Sequence, residues 1–190
     1  MMLLGALVYA AAISLLLRAD LLRLKNVRLR YEILLPLGLG LQVGVSRVPN
    51  LDPTWVSVVW LVGAMLLLLT AVSNWPYLGL RVVAAGVLLN ALAIAANGGM
   101  PVSSEALRYL SATDPEAVLA SSSPLYFLAD EATVLPLFGD VLPVPGPLWI
   151  RSVASAGDVL LMIGVVVLVL EMAGVKLRSG ATGHTRTLRD

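Results

Sequence analysis

Cysteine is absent from the 190 residues. That excludes disulfides, thiolate zinc sites and cysteine nucleophiles. Histidine occurs once, at His184 in a polar tail, so a histidine-ligated haem or copper has no ligand set within the chain. Charge is scarce as well: Asp, Glu, Lys and Arg make up 13% of the residues and the net charge is +1. With no basic arm, there is no electrostatic footprint for nucleic acid. No internal repeat of the kind that marks many transporters is visible. No metal or cofactor is implied.

Apolar residues dominate instead, at 58% with a mean hydropathy of +0.89. A soluble domain of this length has too little interior for so much apolar surface, whereas a bilayer accepts it. The chain reads as an all-α integral membrane protein with five transmembrane helices, at 2–17, 31–46, 54–72, 77–96 and 158–175. Residues 1–175 form one membrane domain and 176–190 a polar tail. The opening MMLLGALVYAAAISLLL resembles a signal-peptide core without the positive segment that precedes one. It is expected to remain as the first span. Pro36 and three glycines make the second segment, YEILLPLGLGLQVGVS, the weakest helix. Within it, Gly40-x-x-x-Gly44 is expected to permit close helix approach.

Lys and Arg set the orientation. Arg18, Arg23, Lys25, Arg28, Arg30, Arg81, Lys176, Arg178, Arg186 and Arg189 fall on one side of a five-span layout, and Arg47, Arg108 and Arg151 on the other, a ratio of ten to three. The N-terminus is therefore expected outside and the tail in the cytoplasm, making the chain a multi-pass membrane protein. Trp55, Trp75 and Trp149 stand near expected span ends, where aromatic rings prefer the interface.

The segment 97–157 is then external. Its first part reads as short helices, with Ser104 as one cap and Asp114-Pro115-Glu116 as a second start. Its second part, PLYFLADEATVLPLFGDVLPVPGPLW, is too apolar for a free loop, yet Pro136, Pro143, Pro145 and Pro147 prevent a continuous helix. Non-helical backbone cannot face lipid with its amides unpaired. The segment is expected to fold over the bundle as a partly helical lid. NGGMPVS (97–103) opens it: the two glycines allow a left-handed helix stop and Pro101 blocks continuation.

Few polar residues lie at membrane depth: Gln42, Asn90, Asn97, Asp158 and Glu171. Asn90 and Asn97 are seven apart and share a helix face, an arrangement suited to interhelical hydrogen bonds. Glu171 is expected to snorkel toward the inner surface or pair with Lys176 or Arg178. Ser155 and Asp158 have the spacing of a capping box. A competing reading pairs Asp158 with Asp140, because two acids sharing one site have separated pKa values and divide the roles of base and acid.

The strings NGGMPVS, LADEATVLPLFGDVLPVP and SAGDVLLMIG, in that order, resemble the bacterial membrane-protein family catalogued as domain of unknown function 5317. The basic opening loop fits it too. One departure is that NGGMPV lacks the basic residue often found after the second glycine, which removes any anion or headgroup contact depending on it. The resemblance implies a fold and topology and no activity. A more distant similarity is to lipoprotein signal peptidase, an intramembrane aspartyl enzyme. FGDV at Asp140 and SAGD at Asp158 stand eighteen positions apart before the last helix, in the order of that family's two aspartates. The resemblance implies Asp140 and Asp158 as a catalytic dyad. Against it, the G-N-x-x-D-R string is missing, Ala and Gly occupy the place of the expected asparagine before Asp158, and there is an extra span.

Three functions follow. The first is a non-catalytic protein binding a lipid or small molecule at the outer face, or an accessory subunit of other membrane proteins, with Asn90, Asn97, Gly98, Gly99 and Met100 on one wall of the site. The alternative is an aspartyl hydrolase using Asp140 and Asp158. The third is a small transporter lined by Gln42, Asn90 and Asn97. The partners expected are the bilayer and such a ligand, and no nucleic acid.

Overall fold

Apolar sequence and helix caps divide the chain into a helical bundle roofed by short strands in a computed structural model that describes residues 28–48, 50–110, 114–145 and 151–175. The bundle helices are α1 (Leu34–Val45), α2 (Pro53–Ser73), α3 (Leu78–Asn97) and α6 (Ala156–Met172). Between α3 and α6 come β1 (Met100–Val102), α4 (Ser104–Tyr109), α5 (Pro115–Ala120), β2 (Tyr126–Leu128), a 3-10 turn at Pro136–Phe138, β3 (Leu142–Val144) and β4 (Ser152–Ala154). The expected first span, Trp149, Pro147 and the charged tail lie outside the described residues.

Each helix has a local reason for its ends. Asp52 accepts from Thr54 N at 2.8 Å, with Pro53 in the first turn of α2, where its missing amide costs nothing. Pro36 is likewise confined to the first turn of α1. Gly98, at φ 70°, ends α3 in the left-handed conformation expected of the NGG turn. Helix α2 and helix α3 are long and apolar enough to cross a membrane. At twelve and seventeen residues, α1 and α6 reach only about 18 and 26 Å, short of a hydrocarbon core of about 30 Å. The protein is thus mostly helical, with two candidate spans among the described residues.

Helix α1 packs on α2, α2 on α3, and α3 most extensively on α6. The close approach of α3 and α6 depends on two glycine pairs seven residues apart. A Cβ at Gly86 would come 2.5 Å from Gly157 O, and one at Gly164 2.6 Å from Val83 N. At Gly79 it would run into the backbone of Leu168, and at Gly157 into the Asn90 side chain. The expected Gly40–Gly44 contact is not the one formed: neither has a neighbour within 4 Å of an added Cβ among the described residues. The contact between α1 and α2 is instead made by Gly38 and Gly63, where a Cβ at Gly38 would lie 2.8 Å from Gly63 O. The backbone carbonyl of one helix fits only where the other has no side chain.

The core has three layers. Ala71, Leu80 and Ala84 pack near the α2–α3 turn, and Ala64, Leu67 and Val87 at mid-height. At the far end Val45, Val56, Ala93 and Ile94 are joined by Met100 and Leu125. The roof is therefore built into the core rather than laid over it. Apolar burial of this kind contributes roughly 25 cal/mol per Å².

Candidate functional site at the roof

The roof strands converge on Asp140. Strand β1 pairs in parallel with β2, Met100 opposite Tyr126, and Met100 N donates to Leu125 O at 2.7 Å. On its other edge β1 holds the FGD string: Asp140 N donates to Pro101 O at 2.8 Å and Ser103 N to Asp140 O at 2.9 Å. Gly139 makes this possible, since a Cβ there would stand 2.5 Å from Pro101 O. Beyond Asp140 the chain enters β3, which pairs antiparallel with β4, Leu142 opposite Ala154. Strand β4 leads into Ser155 and α6. The NGGMPVS and LFGDV strings are thus hydrogen-bonded neighbours.

Asp158 stands where the capping box predicts. Its backbone N donates to Ser155 Oγ at 2.9 Å and its Oδ2 accepts from Ser155 N at 3.2 Å. Asn90 extends the box across the helix interface: its Nδ2 donates to Asp158 Oδ1 at 2.9 Å and its Oδ1 accepts from the Ser155 hydroxyl at 2.8 Å. Asn90 is buried and makes the interhelical bonds expected of it.

Asp140 and Asp158 line one small chamber of about 60 Å³, together with Asn90, Met100, Tyr126 and Trp60. Asp140 is only 8% exposed, and its Oδ1 has no hydrogen-bond partner among the described residues. Burial, and then the negative charge of Asp158, push the Asp140 carboxyl up from 3.8 to about 8. Burial and both acids likewise raise the Tyr126 phenol to about 12. Asp140 and Tyr126 also belong to a second, larger cavity of about 460 Å³. Its walls are apolar, from Val102, Leu107, Leu110, Val118 and Leu119. Ser152, opposite Val144 in the β3–β4 pairing, is also in its lining, and its hydroxyl is buried and unpartnered among the described residues. Arg151, at the rim, donates to Leu110 O at 3.2 Å.

The other expected site residues serve the roof. Asn97 Nδ2 donates to Ala93 O and Val134 O, each at 2.8 Å, and its Oδ1 accepts from Val134 N at 2.8 Å. That clamp sits beside Leu135, held at φ 53°. Gly98 O accepts from the Ser57 hydroxyl at 2.6 Å, and Gly99 lies against Leu125 O. Of the wall residues expected at 90 and 97–100, only Asn90 and Met100 line the chamber. Gln42 donates to Trp60 O at 3.4 Å, so Gln42, Asn90 and Asn97 are engaged in three separate contacts.

Two expectations are corrected in detail. Ser103, rather than Ser104, caps α4 by accepting from Ala106 N at 3.2 Å, while Asp114 caps α5 as expected. Glu171 accepts from Leu78 N at 3.0 Å and Gly79 N at 2.8 Å, so its partner is the exposed start of α3, which it caps. Lys176 and Arg178 lie outside the described residues. Sequence reasoning passed over Trp60, Tyr126 and Ser152 as site residues. The glycine pairs at 79/86 and 157/164 were a visible signal for the α3–α6 contact.

A family described as a family of unknown function (DUF5317) has a model that matches residues 26–170. No curated protein and no solved structure matches the chain.

Proposed function

Since the chain belongs to DUF5317, a family of unknown function, we propose from the site itself that it is a multi-pass bacterial membrane protein binding a lipid or small amphiphile at its outer face. The observation that carries this is the apolar-walled cavity of about 460 Å³ with the buried Asp140 in its lining, since binding pockets combine apolar walls with a few convergent polar groups. In this reading the segment 2–17 and the four bundle helices make five spans in the cytoplasmic membrane, with the bilayer thinned beside the shorter α1 and α6. The roof lies outside. Arg30 supports that orientation, because its N and O bond the Asn74 side chain at the α2–α3 turn, each at 2.9 Å. This draws the Arg28, Arg30 and Arg81 end of the bundle together, opposite the roof. Arg81 also sits 5.6 Å from the centre of the Trp75 ring, a pairing at home at a membrane interface.

The test is binding of an environment-sensitive alkyl fluorophore to the full chain in phosphatidylcholine nanodiscs. Val118, 42% exposed at the cavity mouth, accepts a larger side chain without disturbing the core. Val118→Trp should weaken binding about tenfold, or about 1.4 kcal/mol, at unchanged thermal stability. Equal binding by both proteins would remove the cavity from consideration.

A second reading is favoured by the placement of Asp140 and Asp158 in one chamber. As an aspartyl hydrolase, Asp158 would take a proton from a water attacking a carbonyl, while Asp140 gives its proton to the carbonyl oxygen. Turnover of a fluorogenic peptide in bilayers should then fall at least about 100-fold in Asp140→Asn and in Asp158→Asn alike. Turnover retained in either variant ends this reading.

A further inference from the structure

We propose that the loop Val134–Leu137 is an anchor that sets its apolar side chains into the lipid leaflet on the roof side of the bundle. The inference rests on the membrane reading above and goes beyond the cavity. The loop reads VLPL, between the acidic pair Asp130-Glu131 and the buried Gly139-Asp140. All four of its residues are exposed, Leu137 to 76%. Four consecutive exposed apolar residues are out of place on a surface that meets only water, and they mark contact with a partner or a membrane.

The helices fix the level of a bilayer edge. Trp55 and Trp75 stand at the two ends of α2, 62% and 51% exposed. Twenty residues separate them, about 30 Å along a helix, which matches a hydrocarbon core of about 30 Å. Exposed indoles at that spacing suit the two interfaces of a membrane. Trp55 belongs to the roof end, because Ser57 in the next half-turn gives its hydroxyl to Gly98 O at 2.6 Å. The Trp55 level is thus also the level at which α3 ends. Asn97, the last residue of α3, is the one that holds the loop: it accepts from Val134 N and donates to Val134 O, each at 2.8 Å. The exposed apolar stripe Leu88, Leu92 and Ala96 of α3 stops one residue short of that clamp. The loop is therefore fixed at the edge of the apolar band.

Its backbone suits that depth. Val134 O is taken by Asn97, Leu135 O accepts from Phe138 N at 2.9 Å and Pro136 O from Gly139 N at 3.2 Å. Pro136 has no amide to satisfy. Non-helical backbone with its carbonyls already bonded loses little on leaving water. The amides of Leu135 and Leu137 have no partner among the described residues, which holds the loop among headgroups rather than deep in hydrocarbon. Phe138 packs on the core around Met100 and Leu125 and gives the loop a fixed base. On the other side Asp130 closes a turn, accepting from Ala132 N and Thr133 Oγ1, both at 3.0 Å. Glu131 beside it is exposed, and a carboxylate belongs on the water side. The tip offers no side-chain donor or acceptor. A leaflet asks for none, whereas a specific protein interface carries about one hydrogen bond per 100–200 Å².

The chain has no cysteine, so single nitroxides on Leu137→Cys, Glu131→Cys and Leu88→Cys report three depths in the full chain in phosphatidylcholine nanodiscs. All three positions are exposed, so the labels leave the core as it is. Collisions with oxygen, which concentrates in lipid, are compared with collisions with a water-soluble nickel chelate. The oxygen-to-nickel ratio should be highest at Leu88 and lowest at Glu131, with Leu137 at least about threefold above Glu131. Adding Asn97→Ala should bring the Leu137 ratio down to the Glu131 value, and an unchanged ratio overturns the clamp as what sets the depth. A Leu137 ratio equal to that of Glu131 in the otherwise intact chain, with Leu88 in lipid, overturns the anchor and leaves the membrane reading standing. Few collisions with either reagent at Leu137 mean that protein covers the loop, which overturns the anchor too. Nickel favoured at Leu88 as well removes the membrane reading itself.

Discussion

Asn90 joins the middle of α3 to the first turn of α6 by giving Nδ2 to Asp158 Oδ1 and taking the Ser155 hydroxyl on Oδ1, at 2.9 and 2.8 Å. Its amide thus completes a cap that Ser155 and Asp158 otherwise form alone. Removing it leaves a buried hydroxyl and a carboxylate short of partners. Asn90→Leu should cost about 2–3 kcal/mol, and Ser155→Ala about 1 kcal/mol. Thermal unfolding in detergent measures both. If the asparagine variant costs less than the serine one, the helix–helix bridge is not what holds Asp158.

The α3–α6 seam tolerates no added methyl. Gly157→Ala drives its Cβ into the Asn90 side chain, and Gly86→Ala into Gly157 O. Each should destabilise by about 1–3 kcal/mol, while Leu88→Ala, on the exposed side of α3, should stay within about 0.5 kcal/mol. Comparable losses for all three would mean that the helices do not meet backbone to backbone.

Asp140 gives stability a pH dependence of definite sign. Its folded pKa of about 8 lies above the ordinary 3.8, so the folded chain keeps a proton that the unfolded chain releases. The group's contribution is complete below about pH 4, declines as pH rises, and is lost past about pH 8. Melting temperatures of the ligand-free chain should fall across that window, and Asp140→Asn should remove the decline. Parallel curves for the two proteins would contradict the burial described for this carboxyl.

Asn97 holds the roof at one point, by two bonds to Val134 next to the left-handed Leu135. A non-glycine residue in that conformation costs about 1–2 kcal/mol, so the clamp restrains strained backbone. Asn97→Ala should raise hydrogen exchange at the Val134 amide at least about tenfold and leave exchange within α2 unchanged. No change at Val134 would show that the roof is held elsewhere.

Much of this was legible in the residues, and the exceptions share a cause. The starts and ends of α2 and α3 lie within one residue of the apolar segments, because hydropathy and caps act locally. The NGG stop, the Asp114 cap and the Ser155–Asp158 box are local as well. What escaped was long-range. The partners of Glu171 are 92 and 93 residues away. The choice of Gly38 and Gly63 over Gly40 and Gly44 depends on how two helices rotate against each other. The proline-rich roof correctly read as non-helical, yet its strand pairing follows from where β1 meets Leu125 and Asp140, which no short window reveals. The pairing of Asp140 with a cavity was foreseen only as a meeting of two acids; the unpartnered Ser152 hydroxyl was not.

The Glu171 contact has a consequence for the order of events at the ribosome. The first amides of α3 leave the exit tunnel long before the carboxylate that will receive them, which follows 93 residues later. Until then those amides must find water or lipid headgroups, since a helix entrance has no internal acceptors of its own. Helix α3 can therefore form early but reaches its final entrance geometry only when α6 has been translated, which makes α6 the latch that closes assembly of the helical bundle.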